Sequence, residues 1–249
     1  MTAPEAAAIF AAGIAAGTVN TIVGSGTLVT FPVLLAFGYS PVTANVSNTV
    51  GLVPGSISGA YGYRAELGGQ ARRAALLGLA SVAGGITGAL LLLALPASAF
   101  KSIVPGFIAA GLVLVLIQPW LTRRLAGRHG RPLAFPGALP VGLYTVGVYG
   151  GYFGAAQGIL ILALLGLASS EGLQRINALK NVLAGVTNLV AGIVFVIAAH
   201  ISWPAAALIA GGSVLGGQLG ARIGRRLPLP ALRAVIVGVG IAAILKLVL

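Results

Sequence analysis

The sequence predicts an all-α membrane protein made of two inverted-topology repeats, whose short interrupted helices meet near the bilayer midplane. Three observations predict it: an apolar composition with charge confined to connections, a register that repeats across the two halves, and a basic bias that changes sides between them. Of 249 residues, 58% are hydrophobic and 7% charged, and the mean hydropathy is +1.04. So much apolar surface has no soluble core to enter; its solvent is lipid. Apolar runs of roughly 18 to 22 residues recur along the chain, about the length of a helix that crosses a bilayer. The 38 glycines suit closely packed membrane helices.

The net charge of +12 would fit nucleic acid if the basic residues shared one face. They lie instead in short connections between apolar runs, the pattern that orients membrane proteins, and no nucleic-acid partner is expected. With no cysteine, disulfides, thiolate nucleophiles and zinc–thiolate sites are excluded. The N-terminal Met1 to Glu5 carries no positive n-region, and the long apolar run after it reads as a first spanning helix.

Matches recur along the chain at an offset of 132: Asn45 with Asn177, Ser81 with Ser213, Gly84 with Gly216 and Gly85 with Gly217. The series continues through Gly88/Gly220, Ala89/Ala221, Leu95/Leu227, Pro96/Pro228 and Gly106/Gly238, and reaches back to Gly26/Gly158. A register this long marks an internal repeat. Residues 1–121 form the first repeat, 122–136 a basic linker and 137–249 the second repeat.

Charge decides the relation of the halves. Arg64, Arg72 and Arg73 fill a connection whose counterpart, Ala198 to Ala205, carries His200 alone; Lys101 stands where the second half has Arg222, Arg225, Arg226 and Arg233. The basic side swaps, which the positive-inside rule reads as inversion, with an odd number of crossings per half. The linker carries Arg123, Arg124, Arg128 and Arg131 with Pro132 and Pro136, and is expected in the cytoplasm with both termini outside a bacterial inner membrane.

Taken in order, about 8–10 helical segments are expected. Spans fall near 5–23, 43–63, 73–95, 99–120, 137–155, 173–198, 203–223 and 229–248, with shorter segments at 27–37 and 159–168. The short pair follows polar, Gly-containing breaks, Gly24-Ser25-Gly26-Thr27 and Ala156-Gln157-Gly158. Each either crosses, giving five passes per half, or re-enters, giving three.

Interrupted helices at corresponding places in two repeats predict a midplane site, because unwound backbone is tolerated there only where it lines a cavity. Helix starts offer free N–H groups and a positive dipole end, which suit an anion. For one break, tight packing would suffice as an explanation, as it does for the Gly13/Gly17, Gly84/Gly88 and Gly216/Gly220 spacings. Two breaks favour a site. Gly26, Thr27, Gln157 and Gly158 are its expected helix-start donors, and Ser25 adds a hydroxyl.

The helix after each break carries a polar stripe: Asn45, Asn48, Thr49 and Ser56 in the first half, Asn177, Lys180, Asn181 and Asn188 in the second. Lys180 lies about 10 Å inside its helix at helical rise. There it either snorkels to the interface or faces a cavity. The neighbouring Asn177 and Asn181 select the cavity, with the asparagines and Thr49 bonding substrate oxygens and Lys180 offsetting charge. Arg175, nearer the helix end, reads as an orienting charge or a guide for incoming substrate.

The chain has no Asp, and Glu5, Glu66 and Glu171 all fall near predicted surfaces, so a buried carboxylate proton relay is not expected. Coupling would use carbonyl-bound sodium, a proton carried with substrate, or the membrane potential. His129 and His200 read as solvated loop residues. Trp120 and Trp203 read as interfacial anchors, Tyr61, Tyr63 and Tyr149 flank span ends or breaks, and Tyr152 is placed to line the cavity. An enzyme is not expected, for the chain has no HExxH and no Ser/His pair at a common depth. No cofactor or metal is expected; the partners are a small anion and lipid, and a homodimer is compatible with the pattern.

Gly24-Ser25-Gly26-Thr27 followed by Pro32, the Ala44-Asn45-Val46-Ser47-Asn48-Thr49 stretch and the duplicated Gly-rich arrangement resemble the TauE/SafE sulfite-exporter (TSUP) family over nearly the whole chain. The resemblance implies a transporter of sulfite, sulfoacetate or another sulfonate, often outward. This chain departs from the usual glycine triplet by placing Ser25 in its middle and Ala156-Gln157-Gly158 in the second half. The alternative is a channel or a cation-coupled carrier for a different small solute.

Overall fold

The computed structural model describes residues 1–126, 137–169 and 171–223, with 237–238, 241 and 244–245 beyond them. Its elements are α1 (Ala3–Ile22), α2 (Thr27–Ala36), α3 (Pro41–Gly62), α4 (Ala71–Ala94), α5 (Ala97–Ala126), α6 (Ala138–Tyr152), α7 (Gln157–Ala168), α8 (Leu173–Ala198) and α9 (Trp203–Ile223). Among the described residues there is no strand. Most of the expected last span, with Arg233, the connection before it, with Arg225 and Arg226, and most of the linker, with Arg128, His129, Arg131, Pro132 and Pro136, lie outside them.

Local chemistry sets the boundaries. Thr2 and Glu5 form a reciprocal capping box at the start of α1, and Ser40 caps α3 with Pro41 in its first turn. Gly24 and Gly154, at φ +89° and +76°, turn the chain out of α1 and α6. Among the described residues, four helices, Ala3–Ile22, Ala71–Ala94, Ala97–Leu121 and Leu173–Ala198, are long and apolar enough to cross a membrane. Residues are distributed inside-out: Leu79 and Ile197 are 67% and 80% exposed while Asn45, Asn48 and Lys180 are 0%, as expected where lipid is the solvent.

The halves are interleaved. α1 packs along α9, and α4 packs along α6, so each of these long contacts joins one half to the other. Both are glycine-mediated: a Cβ on Gly17 would strike Ser213 and one on Gly216 would strike Ile14, while Gly84 faces Tyr144 and Gly147, and Gly88 faces Val148. α3 and α8 pack together in the centre, each also against the α9 or α4 of the opposite half. They run antiparallel: Gly68, just past the end of α3, accepts from Arg175 at the start of α8, and Ser202, past the end of α8, donates to Ser47 near the start of α3.

The repeat register changes along the chain. α3 and α8 start 132 apart, as do α4 and α9. The starts of α2 and α7, and the two turning glycines Gly24 and Gly154, are 130 apart. Gly26 is therefore the counterpart of Ala156, the residue before α7, rather than of Gly158; α7, with 12 residues, is longer than α2, with 10, and this difference restores the later register.

Candidate functional site

The two breaks meet. Gly158 donates its backbone N–H to Gly24 O at 3.0 Å, and a Cβ on either glycine would collide with the other's backbone. Only glycine at both places permits this approach. Phe31 packs edge-on against Phe153 at 5.1 Å, and Phe100 and Phe107 close over Tyr152 and Phe153, so the crossing is walled by aromatic rings from α2 and α5.

Around it the predicted residues are buried: Ser25 is 1% exposed, Thr27 7%, Asn45 and Asn48 0%, Thr49 5%, Gln157 3%, Asn177 6%, Lys180 0% and Asn181 4%. Their partners divide them into two sets. Asn48 is spent within its own half, its Nδ2 donating to Thr27 Oγ1 at 3.2 Å and its Oδ1 accepting from Thr30 Oγ1. Thr49 bonds back to Asn45 O at 2.9 Å.

The second set reaches across the halves to the last carbonyls of the interrupted helices. Lys180 Nζ donates to Asn20 O at 3.0 Å and Thr21 O at 3.1 Å. Asn177 and Asn181 each donate an Nδ2 proton to Thr21 O at 3.3 Å. Lys180 thus caps the C-terminal end of α1, where free carbonyls and the negative dipole end favour a cation. In the other half Asn45 Nδ2 donates to Tyr152 O, the last carbonyl of α6, at 2.9 Å.

Among the described residues, several buried polar atoms near the breaks have no partner: Ser25 Oγ, Asn45 Oδ1, Tyr152 OH, Gln157 Nε2 and Asn177 Oδ1. Desolvating such groups is costly, and native structures pair nearly all of them. A group of unpaired hydroxyl and amide atoms beside two helix starts is what a polar ligand would complete. Among the described residues, the backbone N–H groups of Ser25 and Gly26 on one side and of Ala155 and Ala156 on the other donate no hydrogen bond.

A recess of about 370 Å³ opens between α3 and α8, lined by Ser56, Ala60, Tyr61, Arg64 and Asn181 among others. Ser56 accepts from Asn20 Nδ2 at 3.3 Å, so its inner wall adjoins the residues that hold Lys180. Arg64 lies over the Tyr61 ring at 4.4 Å at its rim. Arg175 is engaged with Glu171 at 2.9 Å and Gly68, and Glu171 also pairs with Arg73 at 3.5 Å. Sequence reasoning passed over Asn20, Thr21, Thr30 and Gly154 and named Gly24 only as part of the first break; the polar end of α1 was the available signal for the first two.

The profile of the family described as "Sulfite exporter TauE/SafE" matches residues 9–247. The chain belongs to the TauE/SafE family. Among TauE/SafE relatives, it is 27% identical over 216 residues to "Probable membrane transporter protein YfcA" of Escherichia coli (strain K12), covering 86% of this chain and 79% of that one. It is 26% identical over 239 residues to "Probable membrane transporter protein ORF9" of a Sinorhizobium species, covering 96% and 90%. A "Probable membrane transporter protein" of Haemophilus influenzae is 28% identical over 218 residues, covering 87% and 84%. No solved structure matches the chain. This TauE/SafE protein is a membrane transporter, not an enzyme.

Proposed function

We propose that the protein moves a small organosulfur anion, sulfite, sulfoacetate or another sulfonate, outward across a bacterial inner membrane by alternating access about the crossing of the two breaks. The observation that carries the reading is the group of unpaired buried polar atoms around the Gly24–Gly158 contact. Ser25 Oγ, Gln157 Nε2 and Tyr152 OH supply donors for sulfonate oxygens. Lys180 adds a positive charge whose partners are neutral carbonyls, so its field favours an anion nearby. The family's description names sulfite as cargo.

The antiparallel course of the equivalent helices α3 and α8 supports inverted repeats, and with them a cytoplasmic linker and external termini. Arg64, at the rim of the recess, then lies toward the cytoplasmic end of α3.

The test is thermal-shift binding on purified protein with sulfite, sulfoacetate, taurine, sulfate, lactate and chloride, followed by sulfite flux in proteoliposomes. Stabilisation by sulfite or a sulfonate that weakens in Ser25→Ala and Gln157→Leu is expected. A protein indifferent to the whole panel in both assays does not carry these anions.

A further inference from the structure

The ends of α1 and α6 are built alike but filled differently. At α1, Val19 O accepts from Val23 and Gly24; at α6, Tyr149 O accepts from Phe153 and Gly154 in the same way. The next two carbonyls of α1, Asn20 O and Thr21 O, take the Lys180 ammonium. Their counterparts 130 residues on, Gly150 O and Gly151 O, accept no hydrogen bond among the described residues. The residue that stands 132 before Lys180 is Asn48, which is neutral and turned to Thr27 and Thr30.

A second observation marks the same place. Asn45, wholly buried, donates to Tyr152 O, the next carbonyl of α6, and its Oδ1 has no partner. That oxygen is correctly assigned by its neighbour: flipping the carboxamide would set oxygen against the Tyr152 carbonyl. The α6 end therefore gathers two free carbonyls and a free amide oxygen, all acceptors, at the negative end of a helix dipole. The side chain of Gln157 lies over Gly150 and adds an amide whose orientation can turn its oxygen inward.

We infer that the end of α6 binds a monovalent alkali cation through Gly150 O, Gly151 O and Asn45 Oδ1, the mobile counterpart of the Lys180 ammonium fixed at the end of α1. Carbonyls at half-helix C-termini bind sodium in other interrupted-helix transporters. This goes beyond anion recognition: it assigns a coupling ion and makes the halves unequal, one holding a covalently tethered amine and the other an exchangeable ion. The site does not depend on the identity of the anion.

The experiment titrates purified protein with sodium chloride, potassium chloride or choline chloride at constant ionic strength, reading the melting temperature, with and without sulfite. Wild-type protein is expected to show a saturable rise with sodium or potassium that choline does not give. Asn45→Leu should weaken the apparent cation affinity by about tenfold, the loss of one ligand worth roughly 1.4 kcal/mol. Asn48→Lys should place an ammonium at the α6 end, raising the melting temperature in choline and abolishing the alkali-cation response; if that variant does not fold, Asn45→Leu decides. A wild-type curve identical in choline and sodium, or an undiminished response in Asn45→Leu, overturns the site. Sulfite stabilisation that persists in choline shows that such a failure is of the cation site alone, and cation response without sulfite response is failure of the anion reading alone.

Discussion

Gly158 donates its amide proton to the Gly24 carbonyl at 3.0 Å, so the two helix breaks are joined backbone to backbone. Gly24→Ala adds a methyl group that strikes Gly158 and forces a residue with φ +89°. It should destabilise by about 2–4 kcal/mol from overpacking and left-handed strain together. Gly38, at φ +84° with open space around it, isolates the backbone part: Gly38→Ala should cost only about 1–2 kcal/mol. Comparing the two melting temperatures measures what the contact adds, and equal losses would show that the crossing tolerates separation.

Ser25→Ala separates ligand binding from stability. The Ser25 hydroxyl is buried and unpaired, so its removal should leave the ligand-free melting temperature unchanged or slightly raised. Sulfite affinity should fall by about tenfold for one lost hydrogen bond to a charged group. A fall in ligand-free stability would mean that the hydroxyl has a structural task.

Lys180→Met removes two charge-assisted hydrogen bonds to Asn20 and Thr21. The end of α1 then keeps only the asparagine donors, and a loss of about 2–4 kcal/mol is expected from bonds of this type. Melting temperature and transport should fall together; loss of transport with an unchanged melting temperature would assign Lys180 to the substrate alone.

Helix packing can be tested away from the site. Gly17→Val drives a branched side chain into the Ser213 backbone and should reduce stability by ~3 kcal/mol or more. Gly78, with nothing near its Cβ position, should tolerate alanine with a change within about 1 kcal/mol. Thermal unfolding in detergent reads both.

The helix map was legible because each boundary is written locally. Polar, glycine-containing breaks interrupt apolar runs, and α8 and α9 fall on the spans expected at 173–198 and 203–223. Burial of the polar stripe was legible: Asn45, Asn177 and Lys180 are buried as their spacing implies. Their partners were not, because Lys180 meets α1 across 160 residues of sequence and a hydrophobic period carries no information about which carbonyl waits at the other end. Glycine coincidences also misled the register at the breaks, where Gly26/Gly158 matches in sequence but Gly24 and Gly154 make the equivalent turns.

The interleaving of α1 with α9 and of α4 with α6 has a consequence for biosynthesis. When the ribosome has finished α5, the first half has inserted but α1 and α4 still lack the helices they will lie against, and their glycine faces meet lipid. α4 meets α6 first, Gly84 reaching Tyr144, whereas closing α1 against α9 joins Gly17 to Ser213 across most of the chain, a high-contact-order step that comes last. The nascent first half is therefore an obligate intermediate rather than a folded unit, and a membrane chaperone or the insertion machinery has the interval between α5 and α9 in which to shield it.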